Sequence, residues 1–428
     1  MRLLTTEEID ITEKYTAVTL LEHLASGKFT SVAVTTAFCK RAAIAQQVVS
    51  CLTEVFFEEA IARAKYCDEH LATEGKTLGS FHGLPISLKH HRLYILHCQW
   101  PDSSNSPLVT ILLCKRAVLY VKTNIPQTTM TADSHNNIFG RTLNPTRLSL
   151  SAGGSSGGEG ALAILRGSIL GVGTDIAGSI RIPAFCNGVI DFKPPTPRPG
   201  SVAIAPCAGP ICRNVDDAEY FMRQVLDHDC WTLDESVVPL PWRLKSTGNK
   251  NTKLRLGFML EDKKFPLHPA MQQIIKLAIS ILEAGGHTLI ALDPLLPEDI
   301  LTQTINTAMR FFSIDPKGTL LRSLTSQRAL DAFIMPVFQG TAPTHDTFGG
   351  PPYTVLANLL DAPACAIPFG KAEKEADKPF LRDVNYVPPY DANSVESGQG
   401  GIQVVGRNLK DEEVIEAARI VSEHLRSS

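Results

Sequence analysis

Two glycine-rich turns carry hydroxyl groups at a fixed spacing. The first reads Gly153-Gly154-Ser155-Ser156-Gly157-Gly158; the second, 24 residues beyond Ser155, reads Asp175-Ile176-Ala177-Gly178-Ser179. Serine hydroxyls on tight turns, with backbone N–H groups beside them, suit acyl transfer. That chemistry needs an activated oxygen nucleophile and donors for a developing oxyanion. Three other readings fail. A Gly/Ser linker would lack the apolar runs Ala161–Leu165 and Ile169–Val172, which seek burial. A phosphate-cradling loop would place Gly-Lys-Ser/Thr after the glycines, or a strand–GxGxxG–helix around them, and neither occurs. The nucleophile elbow G-x-S-x-G is absent as well, since Gly153–Gly157 reads GGSSG.

From Ser151 to Pro194 the chain resembles the signature motif of the amidase signature family, in its fungal acetamidase-like and fatty-acid-amide-hydrolase-like branch. The resemblance implies a Ser-cisSer-Lys triad that hydrolyses a carboxylic amide to an acid and ammonia or an amine. The reaction would pass through an acyl-enzyme, without cofactor or metal. Ser179 falls on the acyl-forming nucleophile. Ser155 falls on the bridging serine, preceded by a cis peptide. Lys89, which closes Gly83-Leu-Pro-Ile-Ser-Leu-Lys89, falls on the base. The N–H groups of Ile176, Ala177, Gly178 and Ser179 fall on the oxyanion hole. Thr129 stands at the acyl-pocket wall, where the family commonly has Met. A small-molecule amide is the implied substrate, with its acyl length left open.

A lysine base must be neutral to accept a proton. At an unperturbed pKa of about 10.4, about one molecule in 2,500 is neutral at pH 7. Burial lowers that pKa by several units, so the base must sit in the core. Lys89 ends the apolar alternation Leu84, Ile86, Leu88, which reads as a strand entering the core.

The elements around these residues alternate strands with helices, which gives an α/β class. The resemblance sharpens this to one mixed β-sheet core sandwiched between helical layers. A single domain over 1–428 is expected, with an N-terminal helical part (1–75), a catalytic core (76–225) and a C-terminal part of the same sheet (226–428). Residues 15–75 read as helices, one capped at Thr30-Ser31 and ending near Val49, another within Glu54–Leu71. A strand and turn are expected over Ala117–Gln127, and a turn plus helix over 208–227 with Asn214 as cap. Farther on come a strand at Lys253–Met259, a helix at His268–Ala284 and a strand at His287–Leu292. Ala332–Pro336 reads as a buried strand, Asn358–Gly370 and Gly400–Gly406 as C-terminal strands, and 371–398 as a charged excursion. A last helix carries Val414, Ile415, Ala418, Val421 and Leu425 on one stripe.

The chain departs from the family pattern at several points. His90 stands where the family places an acidic residue after the lysine, and no glycine occurs between Gly83 and Gly140. Asn187 and Asp191 replace glycines behind the nucleophile, and Ser323–Arg328 joins segments usually far apart. These departures keep a second reading open: a catalytically impaired pseudo-amidase or a partner-dependent, amidotransferase-type subunit.

Composition bounds the rest. The 428 residues are 44% hydrophobic and 20% charged, which supports a sizeable core. A net charge of −3 argues against a nucleic-acid or anionic-membrane partner. No apolar run approaches the length of a spanning helix, and the acidic N-terminus has no signal-peptide pattern. The ten cysteines are scattered without C-x-x-C, which reads as reduced thiols in a cytoplasmic protein. Cys207 and Cys212 are candidates for mutual proximity, but a zinc site would need further paired ligands. His90-His91 have opposite strand faces, which disfavours metal binding there. A homodimer is a possible assembly.

Overall fold

The strand that ends in Lys89 lies inside a sheet, not at its edge. The structure is a computed structural model and describes residues 3–90, 105–195, 204–234, 237–243, 252–311 and 330–427, with residues 309–311 as backbone alone. The first sheet is built from β1 (Leu52–Val55), β2 (Pro85–Lys89), β3 (Val118–Thr123), β6 (Leu170–Asp175), β7 (Ile190–Asp191) and β8 (Cys207–Cys212), in the order β1-β3-β2-β6-β8-β7. A small hairpin, β4 (His135–Asn136) and β5 (Gly140–Arg141), stands apart from it. β2 runs parallel to both neighbours, β3 and β6. Pro85, Ile86 and Ser87 are all buried. Successive residues point to opposite faces of a strand, so this pattern requires cover on both faces, as parallel strands usually have.

The second sheet comprises β9 (Arg255–Phe258), β10 (Thr288–Ala291), β11 (Ala332–Pro336), β12 (Ala364–Lys371) and β13 (Gln399–Val405), in the order β10-β9-β11-β13-β12. The two sheets meet where Lys193, just past β7, exchanges backbone hydrogen bonds with Ala364 at 2.8 and 2.9 Å. The expected mixed sheet is therefore realised as two hydrogen-bonded sheets joined at one bridge.

Helices cover these sheets. α1 (Thr6–Glu13), α2 (Ala17–Ala25), α3 (Ser31–Val49) and α4 (Phe57–Glu74) lead the chain, followed by α5 (Pro107–Cys114), α6 (Gly157–Ile164), α7 (Arg181–Asn187) and α8 (Val215–Leu226). α9 (Pro269–Ala284), α10 (Ile300–Phe311), α11 (Pro352–Leu359) and α12 (Asp411–Ser427) follow, with one-turn helices at Lys374–Asp377 and Ala392–Val395 between the last two. Caps fall where the sequence places them. Thr30 accepts the Ala33 N–H at 3.0 Å, and Asn214 accepts the Asp217 N–H at 2.8 Å. The stripe Val414, Ile415, Ala418, Val421 and Leu425 is buried.

Three local expectations are corrected. Residues 15–75 are not wholly helical, because Leu52–Val55 forms β1, antiparallel to β3. Four residues are too short a run for alternation to reveal, and pairing with β3 decides the matter. Residues 352–359 form helix α11, so the expected strand begins at Ala364. Cys207 and Cys212 bracket the extended strand β8, which separates them by about 16 Å at strand rise. Of the atypical stretch 90–108 that follows Lys89, residues 91–104 lie outside the described residues, as does the junction 323–328.

Candidate active site

Three loops converge where β2, β6 and the N-terminus of α6 meet. β2 delivers Lys89 at its end, with the side chain almost fully buried. Its Nζ donates to Ser155 Oγ at 2.7 Å, Thr174 Oγ1 at 2.8 Å and Thr174 O at 3.2 Å. All three acceptors are uncharged. Burial pulls the Lys89 pKa down to about 7, against the opposing pull of Asp175, Glu159 and Cys207. Beside it, His90 Nδ1 lies 3.0 Å from Thr53 Oγ1 and 3.2 Å from Glu54 Oε1. An acidic residue thus adjoins this position in space from β1, not as the next residue in sequence.

The Ser155 turn is held from both ends. The Gly154–Ser155 peptide is cis, as the resemblance implies. Ser134 Oγ donates to Gly153 O at 2.9 Å and accepts the Gly157 N–H at 3.0 Å, so one buried hydroxyl closes the turn. Ser151 Oγ accepts the Gly153 N–H at 2.9 Å and donates to Asp133 Oδ1 at 3.0 Å. Asp133 also accepts the Asp346 N–H at 3.1 Å and faces His345 at 3.4 Å. Burial raises the Asp133 pKa, but His345, the Asp346 amide and Ser151 outweigh it and leave the carboxyl below its usual value. A side chain on Gly154 would collide with the backbone of Thr131–Asp133, so this position needs glycine.

Ser179 ends the turn between β6 and α7 and is half-buried. Its carbonyl accepts the Ser156 N–H at 3.2 Å, which ties the two serine turns together. Its hydroxyl makes no hydrogen bond among the described residues. The structure thus joins Lys89 and Ser155 directly, and Ser179 through the main chain alone. Catalytic hydrogen bonds are often open in an unliganded enzyme.

The oxyanion candidates divide. The Gly178 N–H donates to Asp175 Oδ1 at 2.8 Å and so is turned away from the turn's open side. The Ile176, Ala177 and Ser179 amides have no acceptor among the described residues. Gly178 has φ +124°, and a Cβ there would strike Thr354. Its contribution is to let the turn form. Thr354 Oγ1 donates to Ala177 O at 2.7 Å.

Behind the turn lies a fully buried ion pair. Arg181 Nε and Nη2 reach Asp175 at 3.2 and 3.1 Å, and Nη1 reaches Thr354 O at 2.8 Å and Gln403 Oε1 at 3.0 Å. Asn358 Nδ2 donates to Asp175 Oδ1 at 2.8 Å, and its carbonyl accepts from Arg181. Burial alone would raise the Asp175 pKa, but Arg181 holds the carboxyl well below the usual range. Asn187 donates to Ala152 O and Pro183 O, both at 2.8 Å, and braces the serine turn.

Thr129 is half-buried in the left-handed region, with φ +58°. Its hydroxyl donates to Thr128 O at 2.6 Å and not to any triad residue. Ser134, Asp133, Thr174 and Glu159 are site residues that sequence reasoning does not single out. Among the described residues no group of three or more His, Cys, Asp or Glu is placed to hold a metal. Nor is any described helix long and apolar enough to cross a membrane.

Comparison with known proteins identifies the family and the fold. The Amidase family model matches residues 33–322. An amidase of Gibberella moniliformis is 34% identical over 99% of this chain and 90% of its own length. An acetamidase of Emericella nidulans is 32% identical, over 99% and 91%. Among solved structures, a fatty acid amide hydrolase superposes with TM-score 0.88 at 28% identity, covering 99% of this chain and 87% of that one. The alignment with the Gibberella amidase spans 494 positions, more than the 428 residues here, so that relative carries sequence this chain lacks.

Proposed function

The chain belongs to the amidase family, and from that premise we propose that Ser179, Ser155 and Lys89 carry its amide hydrolysis. Ser179 Oγ attacks the amide carbonyl carbon. Its proton passes to Ser155 Oγ as the Ser155 proton passes to Lys89 Nζ. The carbonyl electron pair moves onto oxygen, where the Ile176, Ala177 and Ser179 amides receive it. Collapse expels the leaving amine, which takes a proton from Ser155 while Lys89 returns one to Ser155. Water then attacks the acyl-Ser179 ester by the same relay and releases the acid.

The observation that carries this reading is the 2.7 Å hydrogen bond between Lys89 Nζ and Ser155 Oγ in a buried site that favours the neutral amine. The likeness to an acetamidase supports small linear amides as substrates, with Thr129 bordering the acyl group. The likeness to a fatty acid amide hydrolase leaves longer acyl chains within reach. The whole chain acts as one unit in this reading, because Asp346, Thr354, Asn358 and Gln403 all brace the serine turns. Among the described residues nine cysteines are free and eight of these are buried, which fits a cytoplasmic setting.

The test is ammonia or amine release by the purified chain on amides from acetamide upward. Wild type should turn over without a partner, and Ser179→Ala should lose several orders of magnitude in kcat. No turnover on any amide until a partner is added would overturn the reading in favour of the partner-dependent one.

A further inference from the structure

Glu159 is a carboxyl that the relay leaves unused. It stands in the first turn of α6, fully buried, and its Oε2 occupies the space a side chain on Gly171 of β6 would need. Two hydroxyls are aimed at it. Ser87 Oγ donates to Oε2 at 2.6 Å and Thr123 Oγ1 to Oε1 at 2.9 Å. Ser87 Oγ also meets Ser168 Oγ at 2.7 Å. Among the described residues no cation forms an ion pair with Glu159. Ser87 and Lys89 stand two residues apart on β2 and share a face, so the carboxyl lies one strand repeat behind the amine.

The other groups facing Lys89 are accounted for. Asp175 on β6 is neutralised by Arg181. Cys207 on β8 is a buried thiol pushed up to about 12, and so uncharged. The groups facing Glu159 besides Lys89 are Tyr120 on β3 and Cys51 beside β1, both pushed up by burial and uncharged. Among the described residues Glu159 is therefore the one acid near the base whose charge no cation already balances.

We propose that Glu159 is the counter-charge of the ammonium that forms when Lys89 takes its proton, and so a positioning residue that sets the pH range of the reaction. The inference rests on Lys89 being the base. When the proton from Ser155 arrives, a positive charge appears on a buried side chain, where an unbalanced ion is costly. A carboxylate held by two hydroxyl donors lowers that cost and is already in place before the proton moves. When the proton returns through Ser155 to the leaving amine, Lys89 is neutral again and Glu159 is unchanged. Burial pushes Glu159 up to about 7, against the hydrogen bonds from Ser87 and Thr123, so acid and base titrate over the same range as a coupled pair.

The test compares pH profiles of kcat/KM for wild type, Glu159→Gln, Ser87→Ala and Lys89→Ala, with circular dichroism and Tm as checks on folding. Glu159→Gln keeps the size and removes the charge. Without its counter-charge the Lys89 ammonium is less stable, so the acid limb should move down by about one pH unit. kcat should fall about tenfold or more, with KM within about threefold. Ser87→Ala removes one donor from the carboxylate and should move the limb the same way by less. Folded Glu159→Gln and Ser87→Ala proteins that keep the wild-type midpoint would overturn the proposal. If Glu159→Gln does not fold, Ser87→Ala decides alone. A Lys89→Ala protein that retains the wild-type limb would instead remove the premise that Lys89 is the base.

Discussion

A buried lysine serves as a base only where it has lost its proton, and Lys89 loses it at about pH 7. Below that value the ammonium dominates and the relay has no acceptor; above it the amine is free. Accordingly kcat/KM should rise with pH through about 7 and then level, and Lys89→Ala should flatten that limb while lowering the rate by several orders of magnitude. Asp191 offers a separate test on stability. Its Oδ1 accepts the Ala366 N–H at 3.1 Å, while Oδ2 has no partner among the described residues and burial holds its pKa well above the usual value. The folded state thus keeps a proton that the unfolded chain releases near pH 4. Stability contributed at low pH is lost as pH rises from about 4, by up to about 1.4 kcal/mol per pH unit. Asp191→Asn should remove that slope and raise Tm at pH 8 relative to wild type; urea unfolding at several pH values reads it. Lys89, Ser155 and Ser179, the proposed relay, stand out in the sequence because each lies in a short local motif. Glu159 and Thr174 do not, because their partners Ser87 and Lys89 lie 72 and 85 residues away.

At the level of elements, the Ser155 turn owes its shape to the segment 131–134 that packs against it. Ser134→Ala would leave the Gly157 N–H and Gly153 C=O buried without their shared partner, at a cost of about 1–3 kcal/mol. A displaced Ser155 should lower kcat more than it raises KM, which steady-state kinetics on one amide would show. β2 was readable from its apolar alternation, and the α6 segment from the apolar run that follows its glycine turn. β1 was not, since its four residues gain strand character only by pairing with β3. α11 was also missed, although its residues Thr354 and Asn358 brace the nucleophile turn.

For the molecule as a whole, the two sheets meet at Lys193 and Ala364, and the buried Asp175–Arg181 pair reaches across that junction to Asn358 and Gln403. Arg181→Met should cost about 3–5 kcal/mol, because it strands a buried carboxylate that Arg181 now neutralises. The loss should appear as a lower Tm together with lost turnover, since Asp175 also holds the Gly178 and Ile180 amides. The sheet and helix class was legible from the alternation of elements. The bridge between the halves was not, because it consists of two backbone hydrogen bonds with no sequence signature. The central claim is that Ser179 forms the acyl-enzyme with Lys89 as the ultimate proton acceptor. Peptide mass mapping of the chain after timed exposure to a fluorophosphonate, at a series of pH values, tests it most directly. The expected result is a single adduct on the Ser179 peptide, forming faster as pH rises through about 7. An adduct on Ser155 or Ser156, or a rate at Ser179 indifferent to pH, would contradict it.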